Sequence, residues 1–205
     1  MRALLSESRI VPVLSPASVN EALDAGEALM AGGLRVLEVT LRTPVALACI
    51  SALVERFPDA CIGAGTVLDG ERLFAARAAG AAFGVSPGLT PSLAAAVREA
   101  GIPFLPGAAT VSEMMRASEL GFDTLKFFPA ESLGGARYLA SLQSVLPHVA
   151  FCATGGIDAS NAAAYLALGN VAAIGGSWMI MRDAGGSVDA SATCAAAARA
   201  LALCY

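Results

Sequence analysis

A chain of 205 residues that is 56% hydrophobic and 15% charged is too apolar for disorder and long enough to bury one sizeable core. Its formal net charge is -4, its pI is about 5.0 and its arginines are scattered, so the basic footprint of a nucleic-acid binder is missing. Charge interrupts residues 1–9 before a secretory signal could build, and the longest uncharged run, 159–181, is broken as a membrane span by Asn161, Asn170 and Gly175-Gly176.

Short β-rich runs alternate with Ala-rich helical stretches along the whole chain. Strands are predicted at Ile10–Leu14, Val36–Thr40, Cys61–Gly65, 83–86, 103–106, Thr124–Phe127, 149–153 and 171–175. A helical pattern follows each of the first seven, for example Val19–Ala31, 46–57, 92–100 and 111–120. Gly32-Gly33, Gly80, Gly101, Gly121 and Gly169 mark helix ends. A last helix is predicted at 191–203, after a Gly-rich turn. Eight such repeats imply a parallel sheet, either a (β/α)8 TIM barrel or an open doubly wound sheet. The even spacing favours the barrel, as does the position of the polar residues near the C-terminal ends of strands. Residues 1–205 are expected to form a single α/β domain.

Five cysteines, an odd number without a CxxC spacing, read as reduced cytoplasmic thiols. One histidine, His148, sits in a polar loop position. This argues against zinc and leaves an all-oxygen magnesium site open.

Thirteen cationic side chains include a single lysine, Lys126, inside an apolar run. Arginine can replace lysine in surface ion pairs but not as an amine nucleophile, because guanidinium stays protonated. Lys126 is therefore a candidate for covalent chemistry, with desolvation by Leu125, Phe127 and Phe128 and the charge of Arg42 expected to favour its free amine. In Val36–Thr40, alternation puts Val36, Glu38 and Thr40 on one face. In a barrel that face buries a carboxylate, which is costly unless it is paired or used. Arg42 shares the parity of Glu38 if the strand geometry persists that far. Thr66 is the first polar group after Gly63-Ala-Gly65, and Ser86-Pro87-Gly88 needs nothing more than a β-turn. Thr154-Gly155-Gly156 and Gly175-Gly176-Ser177 end the seventh and eighth strands. There a barrel can hold a phosphate on backbone N–H groups and a helix N-terminus. Lysine, carboxylate, arginine and phosphate cradle together describe Schiff-base carbon–carbon lyase chemistry on a phosphorylated keto acid or sugar.

The segments Ile10-Val-Pro-Val13, the run 31–43, Gly63-Ala-Gly-Thr-Val-Leu68, Ser86-Pro-Gly-Leu-Thr90, Leu105-Pro-Gly107, Lys126-Phe-Phe-Pro-Ala-Glu131, 151–157 and Ile174-Gly-Gly-Ser-Trp178 resemble, in unbroken order, the 2-keto-3-deoxy-6-phosphogluconate (KDPG) aldolases of the Entner–Doudoroff pathway. The resemblance implies a homotrimer of barrels working without metal or cofactor, through a covalent Schiff base on Lys126 with Glu38 as general acid/base. It implies Arg42 and Thr66 on the pyruvate carboxylate, and Thr154 on the hydroxylated part of the substrate. Gly155, Gly156, Gly176 and Ser177 would hold the phosphate, and Pro87 and Phe128 would form the pocket wall. The chain departs from the family pattern in a shortened N-terminal helix, in Ala153 where proline is common, and in Ala108-Ala109. Rival readings are 4-hydroxy-2-oxoglutarate (KHG) cleavage, the galactonate epimer (against which Thr154 argues, since its relatives usually carry Val in that loop), metal-assisted aldol cleavage, and a non-catalytic phosphosugar-binding barrel.

Overall fold

A computed structural model describes residues 1–204. The strands are β1 (Ile10–Leu14), β2 (Val36–Thr40), β3 (Cys61–Gly65), β4 (Phe83–Val85), β5 (Phe104–Leu105), β6 (Gly107–Ala108), β7 (Thr124–Phe127), β8 (Ala150–Thr154) and β9 (Val171–Gly176). The helices are α1 (Arg2–Ser8), α2 (Val19–Ala31), α3 (Ala46–Arg56), α4 (Gly70–Ala78), α5 (Pro91–Ala100), α6 (Val111–Glu119), α7 (Gly135–Leu142), α8 (Ala162–Leu166) and α9 (Ala190–Ala202). All the strands belong to one sheet in the order β5-β4-β3-β2-β1-β9-β8-β7-β6, and every pairing is parallel.

The stave predicted at 103–106 is two short strands. Pro106 has no N–H to give to a ladder and divides it. The first half pairs with β4 and the second with β7, and Lys126 N donates to Pro106 O at 2.8 Å across the break. The ends of the sheet therefore meet at Pro106, and eight staves close into a (β/α)8 barrel, with α1 ahead of the first.

Alternation along the staves makes two cores. Leu37, Val39, Leu125, Phe127, Phe151 and Ile174 face outward into a cluster shared with the helices. Val11, Val36, Phe83, Val85, Leu105 and Ala173 fill the barrel interior, and Leu5 of α1 plugs that cluster. Helix α1 thus closes the floor of the barrel. Above the floor the buried side chains turn polar, and Glu38, Thr40, Ser86, Lys126 and Thr154 lie near or just past the C-terminal ends of their strands. Local signals place these ends. Thr90 accepts from Leu93 N at 3.2 Å ahead of Pro91, and Gly101 stops the same helix at φ 66°. Thr110 and Glu113 form a reciprocal capping box on α6. No helix among the described residues is long and apolar enough to cross a membrane.

Candidate active site

Lys126 and Glu38 come from β7 and β2. Three staves separate these strands either way round the barrel, so they face each other across its full width. Their side chains reach the centre, where Lys126 Nζ donates to Glu38 Oε1 at 3.1 Å, with the residues 5% and 3% exposed. A buried ion pair of this kind is weak evidence for stability, because desolvating two charges offsets most of their attraction. A pair buried where it adds little to stability points to use rather than to folding.

Of the three flanking residues expected to desolvate Lys126, Phe128 is its neighbour in space and Leu125 and Phe127 are not. Leu125 and Phe127 alternate outward and pack under the helices, so the expected desolvation by them does not occur. The amine is buried instead by the barrel interior. Gly107 and Cys152 lie beside it in register, and the Phe128 ring centroid is 5.4 Å from Nζ. Burial pushes the Cys152 thiol up to about 12, with the neighbouring Lys126 charge working the other way, so this sulfur stays protonated beside the amine.

Small inward positions make the room. A Cβ on Gly65 would lie 2.1 Å from Glu38 Oε1, and one on Gly175 would lie 2.6 Å from Thr154 Oγ1. A Cβ on Gly107 would meet the Pro87 carbonyl carbon and oxygen at 2.2 Å. These glycines hollow the layer in which the lysine, the carboxylate and Thr154 sit. Among the described residues Thr154 Oγ1 is buried without a geometrically formed hydrogen bond, and the Cys152 thiol is the side chain that acts on it, at the end of β8.

Arg42 lies past the end of β2. Leu41 N still donates to Gly65 O at 2.8 Å, but the chain then turns, so strand parity does not carry Arg42 inward and its residue is exposed. It donates instead from Nε to Thr66 Oγ1 at 3.1 Å. Thr66 holds a left-handed backbone with φ 58°. That conformation costs a β-branched residue about 1–3 kcal/mol. Arg42 and Thr66 are thus brought together on the rim. Pro87 follows Ser86, whose Oγ donates to Gly88 O at 2.6 Å in the expected turn.

The turn 154–156 has all its carbonyls occupied. Thr154 O accepts from Ala130 N at 2.8 Å, Gly155 O from Glu131 N at 3.0 Å, and Gly156 O from Asn161 Nδ2 at 2.9 Å. Among the described residues no backbone hydrogen bond outside the strand ladders uses the N–H of Gly156 or Ser177, while the Gly155 N–H faces Gly175 at the end of the β8–β9 ladder. Gly155 and Gly156 both hold positive φ, 105° and 75°. The helix expected to add its dipole is short: α8 has five residues and starts only at Ala162, and the chain after β9 makes a single turn, Ile180 N to Ser177 O at 3.0 Å. Free N–H groups rather than a long helix are what these loops offer. Sequence reading gave no role to Glu131, Asn161 or Tyr165, because a glutamate closing an apolar motif and a tyrosine in an Ala-rich helix carry no spacing signal.

His148 is exposed in its loop. No group of three or more His, Cys, Asp or Glu side chains that could hold a metal ion occurs among the described residues. A recess of about 630 Å³ lined by Arg2, Arg9 and Asn170 opens at the opposite, N-terminal end of the barrel.

A buried amine touching a carboxylate at the C-terminal mouth of a parallel barrel, beside loops rich in free N–H groups, defines a barrel lyase of the Schiff-base class. Comparison with known families matches residues 1–193 to "KDPG and KHG aldolase". The chain is 46% identical over 181 residues to the 2-dehydro-3-deoxy-phosphogluconate aldolase of Pseudoalteromonas atlantica, covering 88% of this chain and 84% of that one. The crystal structure of the 2-keto-3-deoxy-6-phosphogluconate aldolase of Zymomonas mobilis superposes with a TM-score of 0.93 at 42% identity, over 98% of this chain and 96% of that one. The KDPG aldolase of Legionella pneumophila, captured with pyruvate as a covalent carbinolamine, superposes with a TM-score of 0.86 at 41% identity, over 99% and 95% of the two chains. This chain belongs to the KDPG and KHG aldolase family.

Proposed function

We propose that this chain is a class I aldolase that cleaves 2-dehydro-3-deoxy-6-phosphogluconate to pyruvate and glyceraldehyde 3-phosphate, with Lys126 as the nucleophile and Glu38 as the proton carrier. The single observation that carries the assignment is the 3.1 Å contact between Nζ and Oε1, made across the barrel and out of solvent. The carbinolamine captured in the Legionella relative supports the covalent route.

The pair allows a balanced cycle. One proton passing from Nζ to Oε1 leaves a free amine and a carboxylic acid. The amine adds to C2 of the keto acid, and Glu38 returns the proton to the departing hydroxyl, giving water and an iminium. The iminium draws electrons from the C3–C4 bond while the C4 hydroxyl gives its proton to the Glu38 carboxylate, directly or through water. Glyceraldehyde 3-phosphate leaves, and the enamine takes that proton at C3. Hydrolysis then frees pyruvate and restores the ammonium–carboxylate pair.

Arg42 and Thr66 bind the pyruvate carboxylate in this reading, supported by their contact on the rim. Thr154 Oγ1 meets the substrate hydroxyls, supported by the absence of a geometrically formed hydrogen bond to it among the described residues. The N–H groups around Gly155, Gly156, Gly176 and Ser177 take the phosphate, and Pro87 and Phe128 close the wall. One barrel domain spanning 1–205, a homotrimer and a cytoplasmic location complete the proposal on the strength of the family likeness. Sedimentation would test the trimer.

Pyruvate release from the phosphorylated gluconate substrate, its galactonate epimer and 4-hydroxy-2-oxoglutarate tests the substrate choice. The gluconate form should have the highest kcat/KM. Preference for either rival would overturn the choice.

A further inference from the structure

The turn 154–156 cannot make its own shape. Two of its residues are glycines in left-handed backbone, and nothing within the turn fixes where its N–H groups sit. Two outside supports hold it. On one side the exit of β7 donates Ala130 N and Glu131 N to Thr154 O and Gly155 O, at 2.8 and 3.0 Å. The approach is close: a Cβ on Gly156 would lie 2.8 Å from Glu131 Cβ and Cγ. The Glu131 side chain is itself fixed, because Tyr165 of α8 donates its hydroxyl to Glu131 Oε1, with the tyrosine 1% exposed. On the other side Asn161 engages both ends of its amide: Nδ2 donates to Gly156 O at 2.9 Å, and Oδ1 accepts from Asp158 N at 2.9 Å.

We propose that Tyr165 and Asn161 are positioning residues for the phosphate-binding turn. They act through Glu131 and the Gly156 carbonyl and select for phosphorylated substrates, an inference that rests on the aldolase reading above. With every carbonyl of 154–156 occupied, the polar groups the turn has left to offer are donors, which is the requirement for a dianion. Tyr165 has a second effect. Glu131 brings a carboxylate next to the cradle, and a carboxylate free to swing would compete for the same N–H groups and repel phosphate. The hydrogen bond from the tyrosine hydroxyl tethers it to α8. Burial, and then the carboxylate itself, raise the Tyr165 phenol, so it stays a donor at working pH. None of these three side chains touches Lys126 or Glu38, so the pyruvate end of the site should not sense their loss.

The test uses Tyr165→Phe and Asn161→Ala in the full chain, with two readouts for each variant. The first is KM and kcat for 2-dehydro-3-deoxy-6-phosphogluconate. The second is the pyruvate concentration that half-saturates borohydride trapping on Lys126, which involves no phosphate. The expected result is a KM raised about tenfold, with kcat within about twofold, and an unchanged pyruvate half-saturation. An unchanged KM in both variants overturns the proposal, as does a parallel loss in both readouts, which would mark the residues as merely structural. Wild-type protein that neither traps pyruvate nor cleaves the substrate would instead overturn the aldolase reading itself, so the two failures are distinguishable.

Discussion

Gly65 and Glu38 stand so close on adjacent staves that a single added methyl on the glycine would fall 2.1 Å from Glu38 Oε1. The contact links the backbone of β3 to the proton carrier proposed for the site. It also explains why the Gly63-Ala-Gly65 run is needed where it lies. Gly63 clears the Phe83 ring on the barrel floor, at 2.3 Å, and Gly65 clears the carboxylate one layer higher.

Gly65→Ala should therefore push the Glu38 carboxylate off Lys126. A displacement on the order of 1 Å can cost roughly 10²-fold in turnover. The nearest obstructing atoms belong to the movable end of one side chain, so the barrel should still fold. Steady-state kinetics beside a thermal melt checks this, and wild-type turnover would show that the carboxylate need not sit where it does.

Lys126→Arg keeps a buried cation opposite Glu38 but offers no neutral amine. Circular dichroism should remain native while cleavage falls to background. Residual turnover above a few per cent of wild type would remove Lys126 from its role.

Glu38→Gln keeps the volume and a hydrogen-bond acceptor but cannot carry the proton. Turnover should fall roughly 10²–10⁴-fold while pyruvate is still trapped. Glu38→Ala leaves the ammonium of Lys126, 5% exposed, without its partner. Breaking a buried pair in this way costs about 3–5 kcal/mol. Urea unfolding of the two variants should therefore differ, with alanine the weaker.

Glu113 gives a pH-dependent prediction away from the site. Its Oε2 accepts from Ala109 N at 2.8 Å and Thr110 N at 2.9 Å, and these backbone donors, Ala109 first, hold its carboxyl below the ordinary glutamate value. A lowered folded-state pKa contributes stability above the unfolded value of about 4.3, and that stability is lost as pH falls through the folded value. The advantage of wild type over Glu113→Gln in urea unfolding should be present at about pH 7 and shrink as the pH falls below the unfolded value of about 4.3. An advantage that grows on acidification would contradict the assignment.

Much of this was legible in the chain because period-two strands and capped helices are local signals. β1, β2, β3, β7 and α2 fall at their predicted bounds, and the remaining predicted elements shift by a residue or so, apart from the divided stave. Pro106 was visible as a breaker, but its use as the seam of a closed barrel depends on β7 arriving beside it. The parity of Glu38 was readable within its strand. The parity of Arg42 was not, because the strand ends at Thr40. Of the surroundings of Lys126, Phe128 was read correctly, and Leu125 and Phe127 were misread for the same reason that makes strands readable: adjacent residues point to opposite faces. The brace from Tyr165 to Glu131 joins residues 34 apart, and no local pattern encodes it.

Borohydride reduction of the wild-type protein with pyruvate, followed by peptide mass analysis, tests the central claim most directly. The account predicts one stable pyruvyl adduct, on Lys126, absent from Lys126→Arg. No adduct, or an adduct elsewhere in the chain, would contradict it.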